Sequence, residues 1–113
     1  MTNKKLISLF QGYAIKLNAN DIVAAEMPED LKTLPIDMVP REILLSHVAY
    51  MCEKAVVFVD ESHVEKAMRW LGFVQAMFYA TGFCTIDDLK EHSRPDPIDP
   101  EAWRNFLGDM SMI

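Results

Sequence analysis

Apolar residues recur at helical spacing along most of this chain. Between residues 3 and 17, Leu6, Leu9, Phe10, Tyr13, Ala14 and Leu17 fall at i, i+3, i+4, i+7, i+8 and i+11. Lys4, Lys5, Gln11 and Lys16 lie off that stripe. The pattern predicts an N-terminal helix, which Gly12 weakens by about 1 kcal/mol relative to Ala. A strand through residues 13–17 is the competing reading. Asn18-Ala19-Asn20-Asp21 breaks the period, and Asp21 is placed to cap a short helical piece reaching Met27.

Pro28, Pro35 and Pro40 punctuate the next stretch of chain. Proline has no backbone donor and restrains its predecessor, so residues 28–40 are expected to hold one helical turn and an extended connector. A second helix is predicted over 41–59, where Leu44, Val48, Met51, Ala55 and Phe58 step by four and three, widened by Leu45, Cys52, Val56 and Val59. A short strand over 56–59 is the alternative. Ser62-His63-Val64-Glu65 has the form of a capping box for a helix running to about residue 81, and Gly82 supplies its left-handed end. Two long helices joined by so few residues form an antiparallel hairpin. Thr85 with Asp87 and Asp88 opens a further helix that ends at Ser93, before Arg94-Pro95-Asp96-Pro97. Asp99 and Pro100 start a last short one, with Trp103, Phe106 and Leu107 on its apolar face and Gly108 as its stop. Residues 109–113 read as a loose tail.

The stretch from Lys66 to Ala80 stands apart, because its apolar residues run almost all the way round. Val64, Met68, Leu71, Gln75 and Phe78 make one stripe; Trp70, Phe73, Met77 and Ala80 make another. One stripe can pack on helix 41–59. The other needs a second cover, either inside the monomer or from another copy of the chain. Gly72 and Ala76, spaced i, i+4, would allow close approach of a neighbouring backbone. Gln75 is the uncharged polar residue in this run, and a buried amide must find partners.

Length and composition fit one domain. The chain has 113 residues, 50% of them hydrophobic and 25% charged. The expected fold is all-α: a small helical bundle on the hairpin of 41–59 and 63–81. Residues 1–20 form the N-terminal helix and 21–40 the connector. Residues 41–94 hold the hairpin and third helix, and 95–113 the C-terminal helix and tail. Net charge is -6. Residues 1–59 carry six basic and seven acidic side chains, and residues 60–113 carry five and ten. An acidic chain without a basic stripe is a poor partner for nucleic acid or an anionic membrane. No stretch approaches the roughly 20 apolar residues of a membrane span. No signal-peptide core is legible, and the two cysteines, Cys52 and Cys84, lie among apolar neighbours. A reduced, cytoplasmic setting is the expectation.

Reactive chemistry finds little support. His47, Cys52, His63, Cys84 and His92 are scattered, with no Cys-x-x-Cys and no His-Glu-x-x-His. Ser46 adjoins His47, but neighbours on a helix point to different sides. The acidic pairs Glu29/Asp30, Asp60/Glu61 and Asp87/Asp88 have structural explanations at turns and helix starts. Four unclustered glycines make no phosphate loop. The reading is of a non-enzymatic protein without metal or cofactor. Its candidate binding or interface residues are Lys66, Arg69, Trp70, Phe73, Gln75, Met77 and Tyr79.

The run Glu65-Lys66-Ala67-Met68-Arg69-Trp70-Leu71-Gly72-Phe73-Val74-Gln75, then Gly82, then Thr85-Ile86-Asp87-Asp88-Leu89-Lys90-Glu91-His92-Ser93-Arg94-Pro95-Asp96, resembles a group of short proteins encoded by tailed bacteriophages and prophages. His47, Met51, Cys52 and Glu53 also fit, so the likeness spans residues 47–96. Members of that group usually have Gly where this chain has Ala76. The resemblance implies a phage accessory protein in the cytoplasm of an infected bacterium. It brings with it no fold, activity or catalytic residue. The expectation is a homo-oligomeric protein acting by protein–protein contact, engaging and inhibiting or redirecting a host factor. The alternatives are a binder of a nucleotide defence signal, using Lys66, Arg69, Trp70 or Tyr79, and a virion-assembly protein.

Overall fold

A computed structural model describes residues 1–108, so the expected tail at 109–113 lies outside the described residues. The described residues form five α-helices and no strand: α1 (Asn3–Ala19), α2 (Arg41–Asp60), α3 (Val64–Ala80), α4 (Ile86–Ser93) and α5 (Pro100–Leu107). The all-α bundle expected from the apolar period is the fold observed, and residues 13–17 and 56–59 are helical rather than strand.

The hydrophobic stripe of α1 is buried as the spacing predicts, with Leu6, Leu9, Phe10, Tyr13 and Leu17 at 0–1% exposure. Thr2 caps its start by accepting from Lys5 N–H. The chain leaves α1 through Asp21 at φ 64°, with Ile22 N–H returning to Leu17 O and Asp21 N–H to Asn18 O. These paired bonds are a Schellman turn. This corrects the expected helix after Asp21. A residue turned left-handed to close one helix cannot cap another, and the chain runs on in extended form. Its Ala25 N–H donates to Ser46 O and its Met27 N–H to His47 Nδ1, which lays the segment along α2. The proline-rich stretch holds two 3-10 turns, Glu29–Leu31 and Ile36–Met38, rather than one helical turn.

The middle helix of the bundle is α2. It packs along both α1 and α3, whereas α1 and α3 meet over a short stretch. Leu45, Val48, Cys52 and Ala55 form its most deeply buried face. The α2–α3 hairpin is antiparallel: Arg41 at the start of α2 donates to Thr81 O at the end of α3, at 2.9 Å. Its turn differs from the expected capping box. Ser62 sits at φ 66°, with His63 N–H bonded to Phe58 O and Ser62 N–H to Val59 O. Ser62 therefore terminates α2, and the N-cap of α3 falls to His63, which makes no side-chain capping bond. A three-residue connection leaves no room for one residue to do both. The far end behaves as expected: Gly82, at φ 88°, closes α3 through Phe83 N–H to Phe78 O.

Thr85 and Asp88 form a capping box that starts α4. Asp99 accepts from Ala102 N–H at the start of α5, with Pro100 in its first turn. These two short helices and the extended link between them lie against α1. Lys5 Nζ donates to Arg94 O and, at 2.5 Å, to Asp96 O. Lys16 Nζ donates to Phe106 O at 2.5 Å and lies over the Phe106 ring. Between them Trp103 packs on Gly12. Lys5 is thus buried, contrary to its reading as an off-stripe surface residue.

Candidate functional site

One face of α3 is fully used. Ala67, Leu71, Val74 and Phe78 are its buried residues. The expected stripe through Met68 is displaced: Met68 is 47% exposed, and Ala67 and Val74 take the inner positions. Both flanks are also tied down. On one, Trp70 meets the Phe58 ring edge-on, with centroids 4.8 Å apart. Lys66 Nζ lies 4.3 Å from the Phe58 centroid and 5.6 Å from that of Trp70. Met77 is half-buried against the core on the same flank. On the other flank, Gln75 Nε2 donates to the Tyr13 hydroxyl at 3.1 Å. Of the candidate residues, then, Trp70, Lys66, Gln75 and Met77 are engaged within the protomer.

The rest share an outward face. Glu65, Met68, Arg69, Gly72, Phe73, Ala76, Tyr79 and Ala80 are all exposed and follow the three-four spacing of a single helix side. Phe73 is 42% and Tyr79 51% exposed. No charged residue interrupts this face after Arg69. A Cβ built on Gly72 meets nothing within 4 Å, so the helix backbone itself is open there. Lys66 and Tyr79 stand thirteen residues apart, about 20 Å along the axis. They do not converge on one small ligand within a protomer.

The remaining candidate chemistry is structural. The Tyr13 hydroxyl lies 2.7 Å from His92 Nδ1, with Gln75 on its other side. With Gln75 donating to the hydroxyl, the set is satisfied when Tyr13 donates to Nδ1 and the His92 proton sits on Nε2. Desolvation pushes the His92 pKa below its ordinary value and that of Tyr13 well above its own. Tyr13 and His92 are 0% and 3% exposed, sealed by Trp103 and Phe106, so no substrate reaches them. His47 works the same way at the connector, accepting from Met27 N–H, and burial lowers its pKa too. Both thiols are buried; desolvation raises Cys52 strongly and pushes Cys84 up to about 12. Thiols so protonated are not nucleophiles. Asp88 is spent in its capping box, and Glu29 pairs with Lys32 at 2.8 Å. Among the described residues no group of three His, Cys, Asp or Glu could hold a metal ion. Nor is any helix there long and apolar enough to cross a membrane.

Sequence reasoning missed Lys5, Lys16 and the Gly12–Trp103 contact. Lys5, Leu9, Gly12 and Lys16 recur at i, i+4, i+7 and i+11, which is one side of α1. Read as a strip rather than as off-stripe residues, they mark where the C-terminal segment docks. In comparisons with known proteins, no family model, no curated protein and no solved structure matches this chain.

Proposed function

We propose that this chain is a non-enzymatic interaction protein, that its working surface is the outer face of α3, and that a second copy of the chain occupies that face. The observation that carries this is the exposure of Met68, Phe73 and Tyr79 on one open helix side with Gly72 and Ala76. Contiguous apolar surface of this kind marks contact sites.

The order of residues on the face is self-complementary. Two α3 helices paired antiparallel about a two-fold axis at Gly72 set Glu65 level with the partner's Tyr79, and Met68 level with the partner's Ala76. Gly72 then meets its own copy. Met68 finds a small residue, the Glu65 carboxylate finds a phenolic hydroxyl to accept from, and the smallest residue lies where the backbones cross. Such an interface is isologous, as closed dimers require. In the setting that the phage-protein likeness implies, the dimer is the form that engages a host protein and inhibits or redirects it. The nucleotide-binding reading has less support, because its four residues are spread along α3 and Lys66 is already seated on two rings.

Sedimentation equilibrium tests the proposal. Wild type should sediment as a dimer at micromolar concentration, and Gly72→Arg as a folded monomer. The substitution meets open space in the monomer, so loss of association is not confounded by loss of fold. A wild-type monomer over the whole range, or a dimer unaffected by Gly72→Arg, rejects the interface. Capture of a host protein by wild type but not by Gly72→Arg would tie that interface to function.

A further inference from the structure

The first turns of α1, the extended link before α5 and α5 itself flank a half-open cavity of about 360 Å³. It lies apart from the α3 face and shares only Trp103 with the cluster around Tyr13. Pro97, Ile98 and Trp103 give it apolar walls, and Lys4, Lys5 and Ser8 line its other side. Among the described residues no carboxylate side chain lines it, although the chain as a whole is acidic.

Lys5 is the informative residue. It is 7% exposed, and its ammonium donates to two main-chain carbonyls, Arg94 O and Asp96 O. An ammonium has three donors, so one remains. Among the described residues no carboxylate pairs with it, since the ion pairs there involve Lys32 and Arg94. Buried charges are ordinarily paired with an opposite charge, because neutral acceptors only partly replace lost hydration. A buried cation with a spare donor, beside a cavity that among the described residues is lined by a second lysine and no acid, is half of an ion pair. The volume falls in the range of small-molecule sites, which combine apolar walls with a few polar groups.

We propose that this cavity binds a small amphipathic monoanion, an aryl or short-chain alkyl carboxylate. Its carboxylate meets Lys5 and Lys4, and its apolar body lies against Ile98, Pro97 and the indole of Trp103. A phosphate ester fits less well, because its dianionic head is more strongly hydrated and the walls of Pro97, Ile98 and Trp103 offer its outer oxygens no donor.

Titration of the full chain with 3-phenylpropionate, followed by two-dimensional NMR, tests the site. The expected result is a saturable shift of the Trp103 indole N–H and the Ser8 amide. The neutral analogue 3-phenylpropanamide should bind at least about tenfold more weakly, the loss that removal of a charge-assisted hydrogen bond brings. Lys4 is exposed and bonds no other side chain among the described residues, so Lys4→Glu should weaken 3-phenylpropionate by about tenfold or more while the spectrum elsewhere is unchanged. No saturable shift at millimolar ligand overturns the proposal. So does equal binding of acid and amide, full affinity in Lys4→Glu, or shifts that map to other elements.

Discussion

Trp103 lies so close to Gly12 that a Cβ built there would stand 2.0 Å from the indole. No real contact is that short, so α1 carries glycine at this point in order to admit a ring. Gly12→Ala sets two effects against each other. Helix propensity gains about 1 kcal/mol. Displacing a packed indole costs about 1–3 kcal/mol, and here the obstacle is a ring edge rather than a flexible chain end. The steric cost should win. We expect a net loss of up to about 2 kcal/mol in urea unfolding, with Trp103 fluorescence shifted to that of an exposed indole. Gly72→Ala should do the opposite, adding up to about 1 kcal/mol, because nothing stands near that position. Equal effects at the two sites would refute the close contact.

Stability should fall on the acid side of neutrality. His47 and His92 both accept through Nδ1, from Met27 N–H and the Tyr13 hydroxyl, and burial lowers both pKa values. Around His92, Asp88 and Glu91 favour the charged form and Lys5 opposes it; around His47, Glu26 favours it and Lys32 opposes it. In each case burial is the largest influence. The unfolded chain therefore takes up protons first as pH falls. The contribution is fully present above the ordinary histidine value of about 6.5 and is lost as pH drops from there through the folded-state values. Each histidine adds at most about 1.4 kcal/mol per pH unit to the slope. His92→Asn keeps an acceptor near the Nδ1 position without a titrating ring. Urea midpoints at pH 7.5 and 5.5 should then differ less in that variant than in wild type. An unchanged difference would remove His92 from the account.

Removing the hydroxyl rather than the imidazole tests the same cluster differently. Tyr13→Phe keeps the ring contacts with Phe78, Trp103 and Phe106 but leaves Gln75 and His92 without their shared partner. An unpaired buried polar group costs about 1–3 kcal/mol, and only His92 is fully buried while Gln75 is half-buried, so a loss of about 1–3 kcal/mol is expected from thermal or urea unfolding. A neutral outcome would mean that water replaces the hydroxyl.

The helices are legible because their apolar period is strong and their ends carry Gly82, Thr85 and Asp99, residues with one obvious local role. Legibility fails where a residue has two. Ser62 satisfies the pattern of an N-cap, but a turn of three residues commits its backbone to ending α2. Asp21 misleads in the same way. The phase of α3 is ambiguous in sequence because apolar residues on all sides make every stripe look like a core stripe, and only packing selects Ala67 and Val74 over Met68. Gln75 is recognisable as needing a partner, but that partner is a tyrosine on α1, 62 residues away in the chain. For the candidate site, Phe73 and Tyr79 do face outward, while Trp70, which the sequence marks most loudly, is held against Phe58. Lys5 escapes notice because a lone lysine beside a stripe reads as surface unless the segment that receives its ammonium is already known.

The left-handed backbone at Ser62 invites a stabilising substitution. An L-residue there costs roughly 1–2 kcal/mol, whereas glycine loses only its greater freedom in the unfolded chain. Ser62→Gly should therefore raise stability by about 0.5–1 kcal/mol. Asp21→Gly should gain less, because aspartate tolerates this conformation better than serine does. A loss in Ser62→Gly would show that the hydroxyl holds α3 after all.

The two thiols should be silent in the native state. Reaction with an aromatic disulfide reagent requires the thiolate. Burial raises both pKa values, Cys84 to about 12, and exposures of 1% for Cys52 and 5% for Cys84 leave little access. At pH 8 a thiol of pKa near 12 is ionised to roughly one part in ten thousand, before access is considered. Modification should then follow the opening of the fold. Its rate should rise with urea in step with unfolding, and it should be faster in Tyr13→Phe than in wild type. For Cys84 the nearest opening is release of the segment that carries α4, which comes directly after it in the chain. Cys52, inside the middle helix, should wait for global unfolding, so the two thiols should react in separate phases at low denaturant. A single fast phase in the absence of urea would contradict the burial of both.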